Sequence, residues 1–397
     1  MELSRKNSAI TGSVTLATDA KAKKMKAQGL DVVGFGAGEP DFNTPAHIIE
    51  AAKEALDKGL TRYTPASGIP ELKEAICFKL KQDNGLEYKP SQIIISNGAK
   101  HSLCNAFEAL LNPGDEVIIP SPYWLSYPEL VKIAGGVPVF LETKEENDFK
   151  ISVDALKKAI TPNTKALVIN SPNNPNGCVY ERDELEAIAR LAVENEFFII
   201  SDEVYEVLVY DGIEHVSIAS FGPEIKDLTV VINGMSKAYA MTGWRIGYAA
   251  AREDVVQMMS NIQSHTTSNP NSIAQYASLA ALRGPKDDIK AMIDEFSRRR
   301  IFMVDRINSI PGLSCRLPKG AFYVMMNIEK IKGRSYKGRL IDGSLSFSDA
   351  LLDAKMVAVV PGVAFGADNY VRLSYATSMD NIEKGLNRIE EFVNELD

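Results

Sequence analysis

The stretch Leu228-Thr229-Val230-Val231-Ile232-Asn233-Gly234-Met235-Ser236-Lys237-Ala238-Tyr239-Ala240-Met241-Thr242-Gly243-Trp244-Arg245-Ile246-Gly247-Tyr248 sets one lysine on a loop between two strand-like runs, Leu228 to Asn233 and Trp244 to Ala251. Lys237 stands beside Ser236 and eight residues before Arg245, in an apolar, glycine-punctuated context. A desolvated lysine loses part of its preference for the ammonium form, which makes it a nucleophile toward a carbonyl near neutral pH. The neighbouring serine and arginine suit a phosphate. Most lysines are solvated surface charges, so the surrounding sequence has to decide between the two readings.

Outward from this loop, residues 90 to 250 alternate short β-branched runs with helical patterns, the signature of a sheet covered by helices on both faces. Strands are expected at Gln92 to Ser96, Glu116 to Ile119, Val137 to Leu141, Ala166 to Asn170 and Phe197 to Ser201, besides the two that flank the lysine. Leu103, Phe107, Leu110 and Leu111 recur at helical spacing, as do Leu185, Ile188, Ala189, Ala192 and Val193. Thr44-Pro45 reads as an N-cap and first-turn proline opening a helix that ends near Gly59, and a second helix runs from Pro70 to about Asn84. Beyond residue 270 come helices from Ser272 to Arg283 and Lys286 to Ser309, strands near Ala321 to Asn327 and Tyr370 to Tyr375, and a last helix using Ile382, Leu386, Ile389 and Phe392. This change of pattern near residue 290 marks a second, smaller domain.

A chain of 397 residues, 45% hydrophobic and 24% charged, is long enough for two domains and a large core. Its formal net charge of −8 opposes nonspecific binding to nucleic acid or anionic membranes. Arg298-Arg299-Arg300 is the nearest approach to a basic run and reads as a solvated helix face. Cys77, Cys104, Cys178 and Cys315 lie far apart and imply buried thiols in a reducing compartment. His47, His101, His215 and His265 form no pair or cluster with cysteine, so no metal is expected. The polar start, Met1 to Ala9, lacks the apolar core of a signal peptide and no apolar run reaches a membrane span, so a cytoplasmic location is expected.

Several residues outside the loop point to one site. Asp202 follows the run Phe197 to Ser201, at the carboxyl end of a strand where open α/β sheets bind ligands. Tyr205 is three residues further on, and Asn174 lies in the turn Asn170-Ser171-Pro172-Asn173-Asn174-Pro175-Asn176-Gly177, directly after another strand. Gly98 and Ala99 open a helix whose free N–H groups and dipole favour an anion, joining Ser236 and Arg245 as phosphate ligands. Ser96-Asn97-Gly98-Ala99-Lys100 lacks Walker spacing, which disfavours a nucleoside triphosphate. Trp124, in Ser121-Pro122-Tyr123-Trp124, is placed to stack on a ring. Each has an ordinary alternative: a strand-end aspartate as a turn acceptor, a lone tryptophan as core packing.

In chain order these residues resemble the class I aminotransferases of the aspartate aminotransferase family, and the bacterial subgroup most closely. The resemblance runs from Leu16 to Leu386, with Gly38-Glu39-Pro40-Asp41-Phe42, Tyr63-Thr64-Pro65, Gly68-Ile69-Pro70-Glu71-Leu72, Ser171 to Gly177, Ser236 to Gly247 and Val371-Arg372-Leu373-Ser374-Tyr375 as its blocks. It implies the α/β type I pyridoxal-phosphate fold, a mainly parallel seven-stranded sheet between helices with a smaller α+β domain from both chain ends. The implied division is an N-terminal arm and part of the small domain over 1–45, a large cofactor-binding domain over 46–290, and the C-terminal small domain over 291–397. It further implies pyridoxal 5'-phosphate carried on Lys237, Asp202 as partner of the pyridine nitrogen, and Asn174 and Tyr205 on the ring's phenolic oxygen. Arg372 becomes the clamp for the substrate α-carboxylate, assisted by Asn174 and the Gly38 backbone; without the resemblance it reads as an exposed strand arginine. Tyr63 would reach the neighbouring subunit's phosphate, which implies a homodimer with shared active sites.

For substrate, the subgroup implies Lys100 with Ser13 and Thr15 on the distal carboxylate of aspartate or glutamate, and ping-pong amino transfer to 2-oxoglutarate or oxaloacetate. One cation and two hydroxyls favour a dicarboxylate, because an unpaired buried ammonium is costly. The alternatives are a bifunctional aspartate/prephenate aminotransferase and an enzyme for aromatic amino acids or alanine. No basic residue lies nearer Ser13 and Thr15 than Lys6 and Lys21, which leaves prephenate secondary. A DNA-binding regulator on the same fold would need an added helix-turn-helix module and a basic surface. A lyase or synthase using the same cofactor stays open.

Overall fold

A computed structural model describes Ser8 and residues 10–397; residues 1–7 and 9 of the polar N-terminal run, Lys6 among them, lie outside the described residues. Seven strands form the central sheet: β1 (Ile93–Ser96), β2 (Glu116–Ser121), β3 (Val137–Glu142), β4 (Thr164–Asn170), β5 (Phe198–Asp202), β6 (Thr229–Gly234) and β7 (Gly247–Ala250). Their order is β1-β7-β6-β5-β4-β2-β3. Only β7 runs antiparallel to its neighbours, pairing Ile93 with Ala250 on one side and Val231 with Ala250 on the other. The other six therefore end at one edge of the sheet.

Strand runs such as Ile93-Ile94-Ile95 and Val230-Val231-Ile232 are almost wholly buried because helices cover both faces. Successive side chains alternate between those faces. Ile94, Val230 and Ile232 pack with Leu103 and Phe107 of the helix Ala99–Leu110 and with Val255 and Met259. Ile93, Ile95 and Val231 pack oppositely, against Leu72, Ile76 and Leu80 of the helix Pro70–Asn84 and Ala274, Ala277 and Ala281 of Ser272–Arg283. Further along the same sheet, Leu167 and Ile199 meet Leu185, Ile188, Ala189 and Ala192 of Arg182–Glu194.

The chain ends pack together. Val33–Gly34 pairs in parallel with Val357–Ala358, and Tyr370–Ser374 is the middle strand of an antiparallel sheet between Val360–Pro361 and Tyr323–Asn327. Ile382, Leu386, Ile389 and Phe392 of the helix Met379–Asn394 are all fully buried. The helix Asp287–Ser309 runs across residue 290 without a break. Among the described residues no helix is long and apolar enough to cross a membrane.

Four expectations are corrected. Thr44 caps no helix: the helix Ala46–Asp57 starts after Pro45, and the Thr44 hydroxyl donates to Ala240 O (2.7 Å) while accepting from Trp244 Nε1 (3.0 Å). Trp244 and Arg245 are not strand residues, because Thr242–Trp244 forms a 3₁₀ turn and Arg245 takes φ 56° before β7 begins. Of the three consecutive arginines only Arg298 faces solvent. Arg299 is held by Asp41 and Glu295, and Arg300, fully buried, by Asp211 and Pro318 O, so two of the guanidiniums are internal cross-links between the helix and distant loops. Cys178 and Cys315 are buried, with thiols pushed up to about 12 by desolvation, whereas Cys77 and Cys104 are only half-buried.

Candidate active site

The common edge of the strands opens into a cavity of about 350 Å³. Its floor comes from strand ends and the turns after them: Asn170 ends β4, Asp202 ends β5, and Ser236 and Lys237 follow β6. Asp202 is thus the final strand residue rather than the one after it. Tyr205, Trp124, Asn174, Arg245 and Arg372 line the same space, as do Ser13, Thr15, Gly38, Ala99 and Lys100. Two predicted residues do not line it. Gly98 lies just behind Arg245, and Tyr63 is 91% exposed on the surface.

Lys237 donates through Nζ to Gly38 O. Burial lowers its pKa to about 8, with the Arg245 and Arg372 charges helping and Glu39 and Asp202 opposing. The amine is therefore partly unprotonated near neutral pH, as a carbonyl nucleophile requires. Asp202 Oδ2 accepts from Tyr127 Oη at 2.7 Å and Oδ1 from Val204 N at 3.3 Å. Desolvation nevertheless raises its carboxyl to about 6, a cost that a cation at the site would offset.

An anion-binding end lies across the cavity. The helix Ala99–Leu110 starts at Gly98 with no side chain capping its N–H groups. A Cβ on Gly98, at φ +87°, would meet Arg245 Nη2 at 2.2 Å, and one on Gly247 would meet Ala99 N at 2.2 Å. Glycine at both positions is what lets guanidinium, strand end and helix N-terminus converge. Arg245 Nη1 is anchored on Thr242 O at 2.8 Å. The open amides, the Ser236 hydroxyl and the Arg245 fork make a donor set that fits a phosphate.

Arg372 is buried, not an exposed strand arginine. Nη1 donates to Asn174 Oδ1 at 2.9 Å and Nη2 to Gly36 O at 3.0 Å, while the guanidinium lies 4.4 Å from the Tyr323 ring centre. Its Nε is buried without a partner among the described residues, so that donor of the guanidinium is uncommitted there. Among the described residues the Thr15 hydroxyl, also lining the cavity, is likewise buried without a partner. Nearby, Lys100 Nζ sits 4.8 Å from the Trp124 ring centre, and burial, then the Arg245 charge, lowers its proton affinity.

Three contributors were not read from the sequence. Tyr127 holds Asp202, and Tyr323 pairs its hydroxyl with that of Tyr205 at 3.0 Å. The pattern Tyr123-Trp124-Leu125-Ser126-Tyr127 carried a usable signal, since Tyr127 is one helical turn beyond the tryptophan. Tyr323 carried none, because 118 residues separate it from Tyr205. The third, Glu203, Glu206 and His215, lies behind the cavity wall and had no local signature, because its histidine is nine or more residues from either glutamate; the Lys79 ammonium fills its Glu206 arm and His215 pairs with Glu203 at 3.1 Å.

A family model described as aminotransferase class I and II matches residues 30–389. Aspartate aminotransferase of Bacillus subtilis is 52% identical over 393 residues, covering 99% of each chain. Aspartate/prephenate aminotransferase of Nitrosomonas europaea is 47% identical over 392 residues, covering 98% of this chain and 99% of the relative. Among solved structures, the aspartate aminotransferase of Rhizobium meliloti superposes with a TM-score of 0.97 at 42% identity over 100% of both chains. That of Thermus thermophilus with maleate superposes at 0.93 and 45% identity, over 99% of this chain and 100% of the other.

Proposed function

We propose, from the premise that this chain belongs to the class I and II aminotransferases, that it is an aspartate aminotransferase exchanging the amino group of L-aspartate or L-glutamate with 2-oxoglutarate or oxaloacetate. The single observation that carries the reading is the meeting, in one cavity, of a lysine with pKa near 8, a buried strand-end aspartate and a buried arginine fork.

Pyridoxal 5'-phosphate, when bound, supplies an aldehyde carbon that holds the amino group and a protonated pyridine ring that takes up the electron pair left on the substrate Cα. Ser236, Arg245 and the amides of Gly98 and Ala99 would hold its phosphate, and Trp124 would stack on the ring. Asp202, fixed by Tyr127, would face the ring nitrogen, while Asn174 and Tyr205 would donate to the phenolic oxygen. Arg372 binds the substrate α-carboxylate, with Asn174 and the Gly38 backbone beside it, and so orients the Cα–H bond. Lys237 would tether the cofactor and, with its amine free, would take the proton from the substrate Cα as base and deliver it back as acid. Lys100, with Ser13 and Thr15, receives the distal carboxylate; a relative solved with maleate, a four-carbon dicarboxylate, supports that preference.

The same reading makes the protein a cytoplasmic homodimer whose exposed Tyr63 completes the partner's phosphate site, and divides the chain at 1–45, 46–290 and 291–397. The test is a coupled assay of the cofactor-loaded protein with L-aspartate and 2-oxoglutarate, following oxaloacetate. Phenylalanine and alanine serve as competing donors, and prephenate as a competing acceptor. Oxaloacetate formation faster than the output of any competing arm is expected. Ammonia or a cyclised product in place of the oxo acid would refute the reading.

A further inference from the structure

The backbone ladder between β5 and β6 ends at the pairing of Asp202 with Ile232 and one further bond, Glu203 N to Ile232 O at 2.8 Å. Beyond that point the two strands diverge, β5 into the turn after Asp202 that carries Tyr205 and β6 into the single helical turn Met235–Ala238 that carries Ser236 and Lys237. A side chain continues the connection. Glu206 Oε1 accepts from Asn233 Nδ2 at 2.7 Å, and Asn233 Oδ1 in turn accepts from Gly234 N at 2.7 Å. The other oxygen, Glu206 Oε2, accepts from Asn84 Nδ2 at 2.9 Å, and Lys79 of the same helix, Pro70–Asn84, ion-pairs with the carboxylate.

Both charged side chains are about nine-tenths buried, at 10% exposure for Lys79 and 9% for Glu206. Burial opposes ionisation of Glu206, but Lys79, His215 and the donors on its oxygens hold the carboxyl below its ordinary range. It is therefore a fixed carboxylate with at least three donors. Such charge-assisted bonds are short and directional, and a buried one resists stretching more than an exposed one. Glu206 touches neither the candidate cavity nor any residue assigned to the substrate.

We infer that Glu206 is a positioning residue, which through Asn233 sets the spacing between the turn that follows Asp202 and carries Tyr205 and the helical turn bearing Lys237, and thereby the affinity for the cofactor that both turns hold. The inference rests on the cofactor reading above. It assigns Lys79 and Asn84 the task of anchoring the clamp to the outer helix layer, so that neither turn can shift alone.

The test uses Glu206→Ala and Asn233→Ala, with Leu185→Ala, a core truncation in a distant helix, as a control for general loss of stability. Three quantities are read: the Kd for pyridoxal phosphate from titration of the cofactor-free protein, the pH midpoint of the bound cofactor's visible absorbance, and kcat and KM for aspartate. Both clamp variants should bind cofactor about tenfold more weakly, the loss expected from one charged hydrogen bond. Their absorbance midpoint should move and kcat should fall more than KM rises, whereas Leu185→Ala lowers only the melting temperature. Asn233→Ala leaves the Lys79–Glu206 pair intact, so it carries the test if Glu206→Ala does not fold. Clamp variants with wild-type Kd and midpoint would overturn the inference. A wild-type protein that binds no pyridoxal phosphate would instead overturn the cofactor reading.

Discussion

Replacing Lys100 by methionine removes the cation proposed to meet a distal carboxylate while keeping the length of the side chain. Among the described residues no carboxylate is paired with Lys100, whose Nζ lies over the Trp124 ring. Two unit charges about 4 Å apart attract by about 4 kcal/mol at an effective dielectric near 20. Water at the mouth of the cavity and the neighbouring Arg245 charge reduce this to about 1.5–3 kcal/mol, the range of a hydrogen bond to a charged group. At about 1.4 kcal/mol per decade, kcat/KM for aspartate should fall about 10- to 100-fold. Alanine, with no distal charge, should change little. Single-turnover half-reactions of the cofactor-loaded variant with aspartate, glutamate, alanine and phenylalanine measure the ratio directly. An aspartate-to-alanine ratio equal to that of the wild type would refute the assignment of Lys100.

Lys237→Met should stabilise the cofactor-free protein in a pH-dependent way. With the lysine pKa lowered from 10.5 to about 8 in the folded chain, the unfolded chain binds more protons between those values, so wild-type stability rises with pH across that window. The variant's advantage, about 3 kcal/mol below pH 8, should vanish above about 10.5, as denaturant midpoints at several pH values will show. A pH-independent difference would contradict burial as the cause. Gly98→Ala should weaken cofactor binding about 10-fold or more, because the added Cβ would lie 2.2 Å from Arg245 Nη2 and φ +87° is strained for alanine. Equilibrium titration checks it, and an unchanged Kd would remove Arg245 from the phosphate site.

The sheet was legible because strands such as Ile93–Ser96 and Val230–Ile232 are apolar on both faces, and helices such as Arg182–Glu194 repeat their buried residues at helical spacing. Asp202 and Asn170 could be placed because the carboxyl ends of parallel strands share an edge whatever the loops do. The errors lie where long-range contacts override local pattern. Arg299 and Arg300 read as solvated until Asp41 and Asp211, far off in sequence, neutralise them, and Thr44 gives up a cap to bond Ala240 and Trp244. The Tyr205–Tyr323 and Glu206–Asn84 contacts had no local signature at all, each joining residues more than a hundred positions apart. The roles of Arg372 and Lys100 came from resemblance to a family, since nothing in the spacing around either residue distinguishes a ligand from a surface cation.

The proposed activity depends on a covalent attachment at one amine. Borohydride reduction of the cofactor-loaded protein, followed by digestion and mass mapping, should place a single phosphopyridoxyl adduct on Lys237, and Lys237→Met should yield none. An adduct on another lysine in the wild type, or undiminished labelling of the variant, would contradict the account.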